Sequence, residues 1–323
     1  MTDRPAGRTG HASVPGAGTT ERESRVSVAM ITRGRPQGAL RALDRLAALP
    51  ERPAVIVVDN GTDPAVTAAL RAHPVGATVL APGRNTGALG RNLAVRHATT
   101  PYVAFSDDDS WWAPGALRRA ADLLDAHPRL GLLAARSLVG AEEREDPLNA
   151  RLAHSPLPRD PDLPGRPVLG FLGCAAVVRR TAHLDVGGYH PVLFFGAEET
   201  LLAYDLAAAG WGVSYVDSVV AHHHPDEGAR PGPTTLVTRN ALLTCWLRRP
   251  AAVALRRTVA LAAAPARGDR TAGRALRGAL LRLPAALRHR RPLPPTIERA
   301  VRLLEATAAR EQRAAQAPGR APS

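Results

Sequence analysis

The stretch Tyr102–Asp109 reads YVAFSDDD, in which an apolar, β-prone run leads directly into three consecutive carboxylates. Three adjacent negative charges repel one another, and a folded chain rarely tolerates them without a cation nearby. Hard divalent cations take oxygen ligands and often share them with substrate phosphates. A strand that ends in such a cluster therefore indicates either a metal-phosphate site or a solvated turn, because Asp and Ser are also good turn residues.

The chain before and through this stretch alternates between strand and helix patterns. Strands are predicted at 26–31, 55–58, 77–80 and 102–106, and helices at 39–49, 64–72 and 87–98. Such alternation is typical of an α/β domain with a mostly parallel central sheet flanked by helices. Ligands of these sheets bind beyond the carboxyl ends of the strands, and Thr32, Asp59 and the cluster 107–109 all fall there. This convergence favours a functional site over a plain turn.

The rest of the chain continues this domain and then changes character. Further strands are predicted at 130–137, 169–178 and 213–220, and helices at 113–127 and 198–209, with a polar, Pro-rich and mobile loop at 140–167. After residue 233 the pattern becomes helical and Arg-rich. We therefore expect disordered tails at 1–24 and 308–323, an α/β domain at 25–232 and a helical extension at 233–307.

The charge of the chain is strongly positive and is carried by one residue type. The formal net charge is +13, and the sequence contains no lysine, so all 42 basic residues are Arg. Together with abundant Ala, Gly and Pro, this usage is typical of GC-rich coding. No nucleic-acid-binding motif accompanies it, so we expect no specific nucleic-acid partner. The charge favours diphosphates and anionic membrane surfaces as partners.

The cysteine content and the hydropathy of the chain indicate in which cellular compartment the protein lies. Cys174 and Cys245 form neither a disulfide framework nor a metal-ligand spacing, which fits a reducing compartment. No apolar run is long enough to span a bilayer, and the N-terminal residues lack the apolar core of a signal peptide. We expect a cytoplasmic protein, at the inner face of the membrane if its Arg-rich extension binds lipid.

The motifs along the chain occur in an order that resembles the family 2 glycosyltransferases, which have the GT-A fold. The resemblance covers residues 24–224 and is nearest to the rhamnosyltransferase-like subset. It rests on these segments: Thr32–Pro36, Val57–Gly61, Asn85–Asn92, Phe105–Asp109, Gly187–Tyr189, Phe195–Glu199 and His222–His224. It implies a donor-binding half at about 25–112, an acceptor half at about 113–232, and inverting, metal-dependent transfer of a sugar from a nucleoside-diphosphate donor to an acceptor hydroxyl.

The resemblance also implies roles for individual residues. Asp59 would contact the nucleotide base or ribose, and Asp109 would bind Mg²⁺ or Mn²⁺ between the two phosphates. The donor-binding residues that it implies are Thr32, Arg35, Asp59, Asn85, Arg91, Asp107 and Asp108. Asn85 opens a Gly-rich segment whose backbone amides could face phosphate or sugar.

The catalytic base and the last metal ligand are implied in the same way. Glu198 and Glu199 match the acidic pair of the family, whose second residue is usually the base and is often Asp. Carboxylates at a helix start also complement the macrodipole, so a structural role stays open. A family His completes the metal shell. Alternation along a strand would place His222 and His224 on one face and His223 on the other, and we expect His222, then His224, to bind the metal.

Several alternatives remain open at this stage. The chain could be a catalytically inactive sugar-nucleotide-binding relative or a nucleotidyltransferase, which also uses metal-bound carboxylates. The sequence identifies neither the donor nor the acceptor, which would be a glycan, a lipid-linked sugar or a natural product. The Arg-rich region from Leu247 to about residue 291 is either a peripheral membrane contact or an ordinary solvated helical face.

Overall fold

A computed structural model describes residues 22–225 and 234–316. The predicted tail residues 1–21 and 317–323 lie outside the described residues. Ten described strands form a single sheet, and their bounds are β1 Val26–Thr32, β2 Ala54–Asp59, β3 Thr78–Leu80, β4 Tyr102–Asp107, β5 Ser110–Trp112, β6 Leu130–Val139, β7 Arg144–Glu145, β8 Arg166–Pro167, β9 Ala176–Arg179 and β10 Gly212–His223.

Helices cover both faces of this sheet and form the C-terminal part of the described chain. Their bounds are α1 Pro36–Ala47, α2 Pro64–Ala72, α3 Leu89–His97, α4 Ala116–Ala126, α5 Pro147–Ala153, α6 Arg180–Asp185, α7 Glu198–Ala208, α8 Thr234–Arg248, α9 Ala251–Ala263, α10 Arg270–Arg288 and α11 Pro295–Gln316. A short 3-10 helix, Pro265–Arg267, connects α9 to α10.

The sheet is mostly parallel. Its strand order is β3-β2-β1-β4-β9-β6-β10-β5, with β7 paired to β6 and β8 to β10. The pairs β3–β2, β2–β1, β1–β4 and β6–β10 are parallel, whereas β9 runs antiparallel between β4 and β6. The predicted α/β class with a mostly parallel sheet and helical C-terminal part is confirmed.

Burial of both sheet faces explains the continuous apolar runs of the central strands. In β2, Val55 and Val57 belong to a core cluster that includes side chains of α1 and α4. The alternate residues, Ile56 and Val58, belong to a second cluster that includes side chains of α3 and α7. A parallel sheet covered on both faces leaves its strand ends as the place where polar residues can gather.

Three local predictions for the α/β domain differ from the structure. The segment 140–167 is not a featureless loop, because Asp146 caps α5 by accepting a hydrogen bond from Leu148 N and Pro147 occupies the first turn. The strand predicted at 169–178 is confined to β9, since the chain before it turns away from the sheet. The hairpin strand β5 was not predicted, and it shortens the helix expected from residue 113.

The domain extends further at both ends than the predicted tails allow. Glu23 is buried, donates its backbone N–H to Glu51 O at 2.8 Å and pairs with Arg25 at 2.7 Å. At the other end, residues 308–316 continue α11 to Gln316. That segment contains mainly Ala, Arg, Glu and Gln, which are strong helix formers. The predicted tail boundaries at 24 and 308 are therefore wrong.

The C-terminal helices are packed against the sheet domain. Leu243 and Leu247 of α8 share a core cluster with Leu201 of α7 and with alanines of α10. Arg248 binds Asp205 of α7, with 2.9 Å between Nη2 and Oδ2. The buried Arg249 pairs with Glu298 and Glu305 of α11 at 2.7 and 2.6 Å. Arg248 and Arg249 thus serve internal ion pairs, so at these two residues neither alternative, a membrane contact or a solvated helical face, applies.

Among the described residues, no helix has the length and apolar character needed to cross a membrane.

The glycine pair after α6 provides a test of how closely α3 and α6 pack against each other. Gly187 and Gly188 both have positive φ, but an added Cβ at Gly188 would lie 2.3 Å from His183 Nε2 and 2.4 Å from Asn92 Oδ1, whereas Gly187 has open space. We expect Gly188→Ala to lower the free energy of unfolding by at least about 2 kcal/mol more than Gly187→Ala. Urea denaturation with unchanged m-values measures this difference, and equal losses would contradict it.

Candidate active site

Three strand ends meet at one edge of the sheet. In the parallel register, Thr32 at the end of β1 lies opposite Asp59 of β2, and Ile31 lies opposite Asp107 of β4. The polar residues that end these strands are therefore neighbours in space, as the α/β pattern predicts.

Asp108 is buried beneath this edge and holds it together. Its Oδ2 accepts a hydrogen bond from Thr32 Oγ1 at 2.8 Å, and its Oδ1 pairs with Arg35 Nη1 at 2.8 Å. Burial raises the pKa of Asp108 to about 6, although the Thr32 hydrogen bond and the Arg35 charge oppose the rise. Thr32 and Asp108 are thus hydrogen-bonded to each other at the strand ends, and their expected contact with the donor stays a prediction.

Asp59 is fully buried and fixes the turn after β2. Its Oδ1 accepts a hydrogen bond from Gly61 N at 2.8 Å, and its Oδ2 accepts one from Thr67 Oγ1 at 2.6 Å. These bonds tie the turn to α2. Asp59 has no exposed surface, and both of its oxygens accept hydrogen bonds within the turn. Its expected contact with the base or ribose stays a prediction.

Asp109 stays partly accessible at the mouth of the cleft, with 13% of its side chain exposed. Its Oδ2 lies 3.0 Å from Arg35 Nη1, and its Oδ1 lies 3.6 Å from His223 Nε2. Arg35 is about one-third exposed. Asp109, Arg35 and His223 thus form the polar surface that a diphosphate could reach from solvent.

The histidine beside Asp109 is His223, whereas the sequence favours His222 and then His224 as metal ligands, and that assignment stays a prediction. Strand β5 pairs antiparallel with β10 and places His222 opposite Trp111. His222 and His224 share one face, as alternation predicts, but both pack on the Trp111 ring, with centroid distances of 5.9 and 4.5 Å. The position of β5, whose Trp111 contacts both rings, is not apparent from the sequence.

Asp109 and His223 could hold a metal ion only with help from a substrate. In the part of the chain that the structure describes, no group of three His, Cys, Asp or Glu side chains is arranged to hold a metal by itself. The pair offers one oxygen and one nitrogen donor. Mg²⁺ is usually held by one or two protein ligands together with substrate phosphates and water. The donor set therefore fits a divalent cation that binds together with a diphosphate.

Arg91 is buried between the two acidic groups of the site. Its Nη2 lies 2.5 Å from Asp107 Oδ1, while its Nε and Nη1 have no hydrogen-bond partner among the described residues. Burial disfavours the charged guanidinium, but Asp107, Glu198 and Glu199 outweigh burial and raise the pKa of Arg91. Burial also raises the pKa of Asp107, and Arg91 opposes that rise. Arg91 thus places a permanent positive charge between both groups.

Glu198 and Glu199 begin α7 on the other side of Arg91. Glu198 is buried, whereas Glu199 is half-buried. Burial raises the pKa of both carboxyls, and the charge of Glu198 raises the pKa of Glu199 further. The turn before them is strained, because Phe194 and Ala197 have φ values of 70° and 60°. Such conformations are rare for residues with a Cβ and concentrate at functional sites.

The family sequence profile described as "Glycosyl transferase family 2" matches residues 27–187, which include β1, β2, β4 and the acidic cluster. The chain belongs to the family 2 glycosyltransferases. It is therefore an enzyme that transfers sugars, and the nucleotidyltransferase alternative is set aside. N-acetylglucosaminyl-diphospho-decaprenol L-rhamnosyltransferase of Mycobacterium tuberculosis is 28% identical over 264 residues, which are 68% of this chain and 86% of that relative. The expected nearness to the rhamnosyltransferase-like subset is confirmed.

Solved glycosyltransferase structures share the fold. Mannosyltransferase PcManGT from Pyrobaculum calidifontis, in complex with GDP-Man and Mn²⁺, has a TM-score of 0.51 and 22% identity, with 92% of this chain and 83% of that chain covered. GalNAc-T7 with UDP, GalNAc and Mn²⁺ has a TM-score of 0.52 and 11% identity over 71% of this chain, which spans about half of that protein, 49%. These similarities confirm the GT-A fold.

Two residues that support the glycosyltransferase site belong to none of the motifs found in the sequence. Arg239 and Asn240 lie on α8, in the helical extension, yet they hold the strained turn before Glu198. Asn240 Nδ2 donates to Phe195 O at 3.0 Å, and Arg239 Nη2 donates to Leu193 O at 2.8 Å. The sequence signal is weak, since it is only a polar pair before a largely apolar run, and the full burial of Asn240 is seen only in the structure. The extension is therefore part of the active-site framework.

The Gly-rich loop before α3 is organised by two asparagines. Asn60 Oδ1 accepts a hydrogen bond from Thr86 N at 2.9 Å, and Asn85 Oδ1 accepts one from Gly87 N at 2.9 Å. Asn60 is buried, whereas Asn85 stays half-buried at the loop surface. Asn60 was not among the expected site residues, although its Asp-Asn-Gly motif marks the turn.

Gly173 provides a test of how closely Arg91 and Glu199 must fit. An added Cβ would lie 2.7 Å from Glu199 Oε1 and 3.3 Å from Arg91 Nη2, whereas one at Gly170 would meet nothing within 4 Å. Neither glycine has a positive φ. We expect Gly173→Ala to lower kcat/KM by about 10- to 100-fold through displacement of these groups.

The matched substitution Gly170→Ala should change kcat/KM by less than about twofold, because it displaces no site residue. Urea midpoints of both variants separate loss of fold from loss of activity. Equal kcat/KM for the two variants, with both folded, would show that the contact at Gly173 is unimportant.

Proposed function

We propose that this chain is an inverting, metal-dependent glycosyltransferase that moves a sugar from a nucleoside diphosphate to a hydroxyl of a lipid-linked acceptor. One observation carries the proposal. Buried Arg91 has Asp107 of the strand-end cluster on one side and Glu198 and Glu199 of α7 on the other. The site thus has two acidic centres of different environment, which suits a donor-binding group and a separate base.

The donor diphosphate is proposed to bind at the exposed part of the strand-end cluster. Arg35 and Asp109 lie at the mouth of the cleft, and Asn85 lies on the Gly-rich loop. The Arg35 guanidinium can donate hydrogen bonds to phosphate oxygens. Asp107 is partly exposed and held by Arg91, so it is placed to accept hydrogen bonds from ribose or sugar hydroxyls.

Asp109 and His223 are proposed to hold a divalent cation, Mg²⁺ or Mn²⁺, against the diphosphate. When bound, the cation would offset negative charge that develops on the leaving nucleoside diphosphate. The two similar structures with bound Mn²⁺ support a divalent cation for this fold. Arg35, which lies next to Asp109, would share that charge stabilisation.

Glu199 is proposed as the general base for the acceptor hydroxyl. It is more accessible than the neighbouring Glu198, and its raised pKa brings it closer to the range in which a base works at neutral pH. Direct attack of that hydroxyl on the anomeric carbon, opposite the diphosphate, inverts the configuration. The acceptor side offers Glu199 as a base while Glu198 is buried, which supports a single displacement over a covalent intermediate.

The acceptor is proposed to be a sugar carried on a lipid diphosphate. The support is the mycobacterial relative, which is named as an L-rhamnosyltransferase acting on N-acetylglucosaminyl-diphospho-decaprenol. By the same likeness, the transferred sugar is proposed to be a deoxyhexose such as L-rhamnose.

The substitution Glu199→Gln tests the base directly. It removes the proton acceptor but keeps the size of the side chain, so we expect transfer to fall by about 10²- to 10⁴-fold. Donor affinity, measured by thermal shift or calorimetry with Mn²⁺, should stay within about twofold. Transfer near the parent rate would show that Glu199 is not the base.

The substitution Glu198→Gln serves as the electrostatic control. Burial and the negative charge of Glu198 raise the pKa of Glu199, so the base is protonated at low pH and kcat/KM rises as the pH passes that pKa. Loss of the Glu198 charge lowers the pKa, and the acidic limb of the profile should move to lower pH. If the acidic limb of the profile stays at the same pH, the group that titrates is not Glu199.

The metal site is tested by substituting neighbouring histidines. His223→Ala should raise the Mn²⁺ concentration needed for half-maximal activity by at least about tenfold, because His223 faces Asp109. His222→Ala should leave it nearly unchanged, because His222 packs on Trp111. A chelator should abolish transfer, and added Mn²⁺ should restore it. If His222→Ala raises the required Mn²⁺ concentration more than His223→Ala does, the metal binds on the face of His222.

A further inference from the structure

The exposed side of α10 combines large apolar side chains with arginines, outside the active site. Leu280 and Leu281 are 49% and 73% exposed, although they lie in the middle of a helix. The helix is anchored on its other side, where Ala275 and Ala279 are buried. We define the outer face of α10 as the exposed residues Arg274, Arg277, Leu280, Leu281, Leu287 and Arg288. Single exposed apolar residues are normal on protein surfaces, whereas adjacent exposed leucines flanked by arginines form an apolar patch with a polar rim, which is typical of interaction surfaces.

The charge of α10 is one-signed and dense. Helices α8 and α9 also lack acidic residues, but each contains only two Arg. Helix α10 contains five Arg and neither Asp nor Glu, whereas the neighbouring α11 contains four Arg and three Glu. In α11 the acidic residues take part in ion pairs, among them Glu298 and Glu305 with Arg249. The absence of acidic residues from α10 therefore leaves a surface that is complementary to a polyanion and not to a mixed-charge protein face.

The outer face of α10 is linked to the catalytic turn through α8. An added Cβ at Gly278 of α10 would lie 3.1 Å from Arg239 Cδ, so the two helices touch at this residue. Arg239 in turn binds Leu193 O, and its neighbour Asn240 binds Phe195 O. Helix α10 thus packs against the residue of α8 that binds the turn leading to Glu198.

We propose that the outer face of α10 docks on an anionic lipid bilayer. The leucines would enter the boundary between head groups and acyl chains, and the arginines would remain at the level of the lipid phosphates. Each Arg near such a surface strengthens binding through the negative surface potential. The inference deepens the proposed function, on which it rests, because it gives the membrane of a lipid-linked acceptor a defined docking surface near the acceptor side of the active site.

Sedimentation of the full-length protein with phosphatidylcholine vesicles, with or without about one-third phosphatidylglycerol, tests the docking surface. We expect binding to the anionic vesicles only. The double substitution Arg274→Glu with Arg277→Glu should weaken this binding by at least about tenfold. The matched double substitution Arg299→Glu with Arg310→Glu on α11 changes the net charge equally and should weaken it by less than about threefold, because long-range attraction is screened by salt.

A second pair of variants separates a membrane from other polyanions. Leu280→Glu with Leu281→Glu should weaken vesicle binding by at least about tenfold, whereas Leu303→Glu on α11 should leave it within about twofold. Equal loss in the α10 and α11 variants would overturn the proposal. If the arginine variant loses binding, the leucine variant retains it and duplex DNA competes, the surface is a nucleic-acid site and the proposal is wrong.

The binding assay and the reaction can fail independently. Vesicle binding is measured without donor or acceptor, so its failure would leave the proposed transfer reaction untouched. Conversely, inactivity of the parent enzyme with a short-chain, water-soluble acceptor would count against the proposed function but not against the docking surface. The α10 variants should keep parent activity on that soluble acceptor. Loss of activity there, with urea midpoints equal to that of the parent, would show that these residues serve the reaction itself and would overturn the docking role.

Discussion

The active site depends on one buried positive charge. Arg91 is almost fully enclosed, yet it keeps its charge because Asp107, Glu198 and Glu199 surround it. Without a cation at this point, three carboxyls in a low-dielectric environment would repel one another and take up protons. The guanidinium keeps the strand-end cluster and the start of α7 in one compact arrangement. Gly173 lies where a side chain would displace Arg91 or Glu199, so the close packing around this charge leaves little freedom for either acidic group.

A second constraint comes from outside the sheet domain. The turn that leads into α7 contains Phe194 and Ala197 in left-handed backbone conformations, which cost free energy unless their surroundings impose them. Those surroundings are Arg239 and Asn240 of α8, which bind carbonyl oxygens of the turn. The C-terminal helices are therefore a structural part of the active-site framework. They hold the segment that presents the proposed base, and the same helices provide the charged surface of α10.

Local sequence patterns predicted the sheet well because parallel strands buried on both faces must be apolar and must alternate with helices. The Val55–Val58 run and the acidic ending of β4 needed no tertiary information. Local patterns failed to predict the environment of residues whose partners come from distant parts of the chain. Asp59 and Asp108 are acidic residues at strand ends, but whether they face a ligand or the protein depends on Thr67 and Thr32, which hydrogen-bond to them. The predicted domain boundaries failed where a segment with weak local signals packs against the domain, as at Glu23.

The sequence by itself determined the fold class, the family and the set of polar segments that meet at the sheet edge, because hydrophobic periodicity and motif order are properties of the chain alone. Only the tertiary structure decided which members of each segment face the cleft. A strand side chain points to one face or the other, and the choice between His223 and His222 depends on the pairing of β10 with β5. Likewise, Asn240 acquires its role only when α8 packs beside the turn. Such long-range pairings leave no local pattern, because the residues that fix one another lie far apart in the chain.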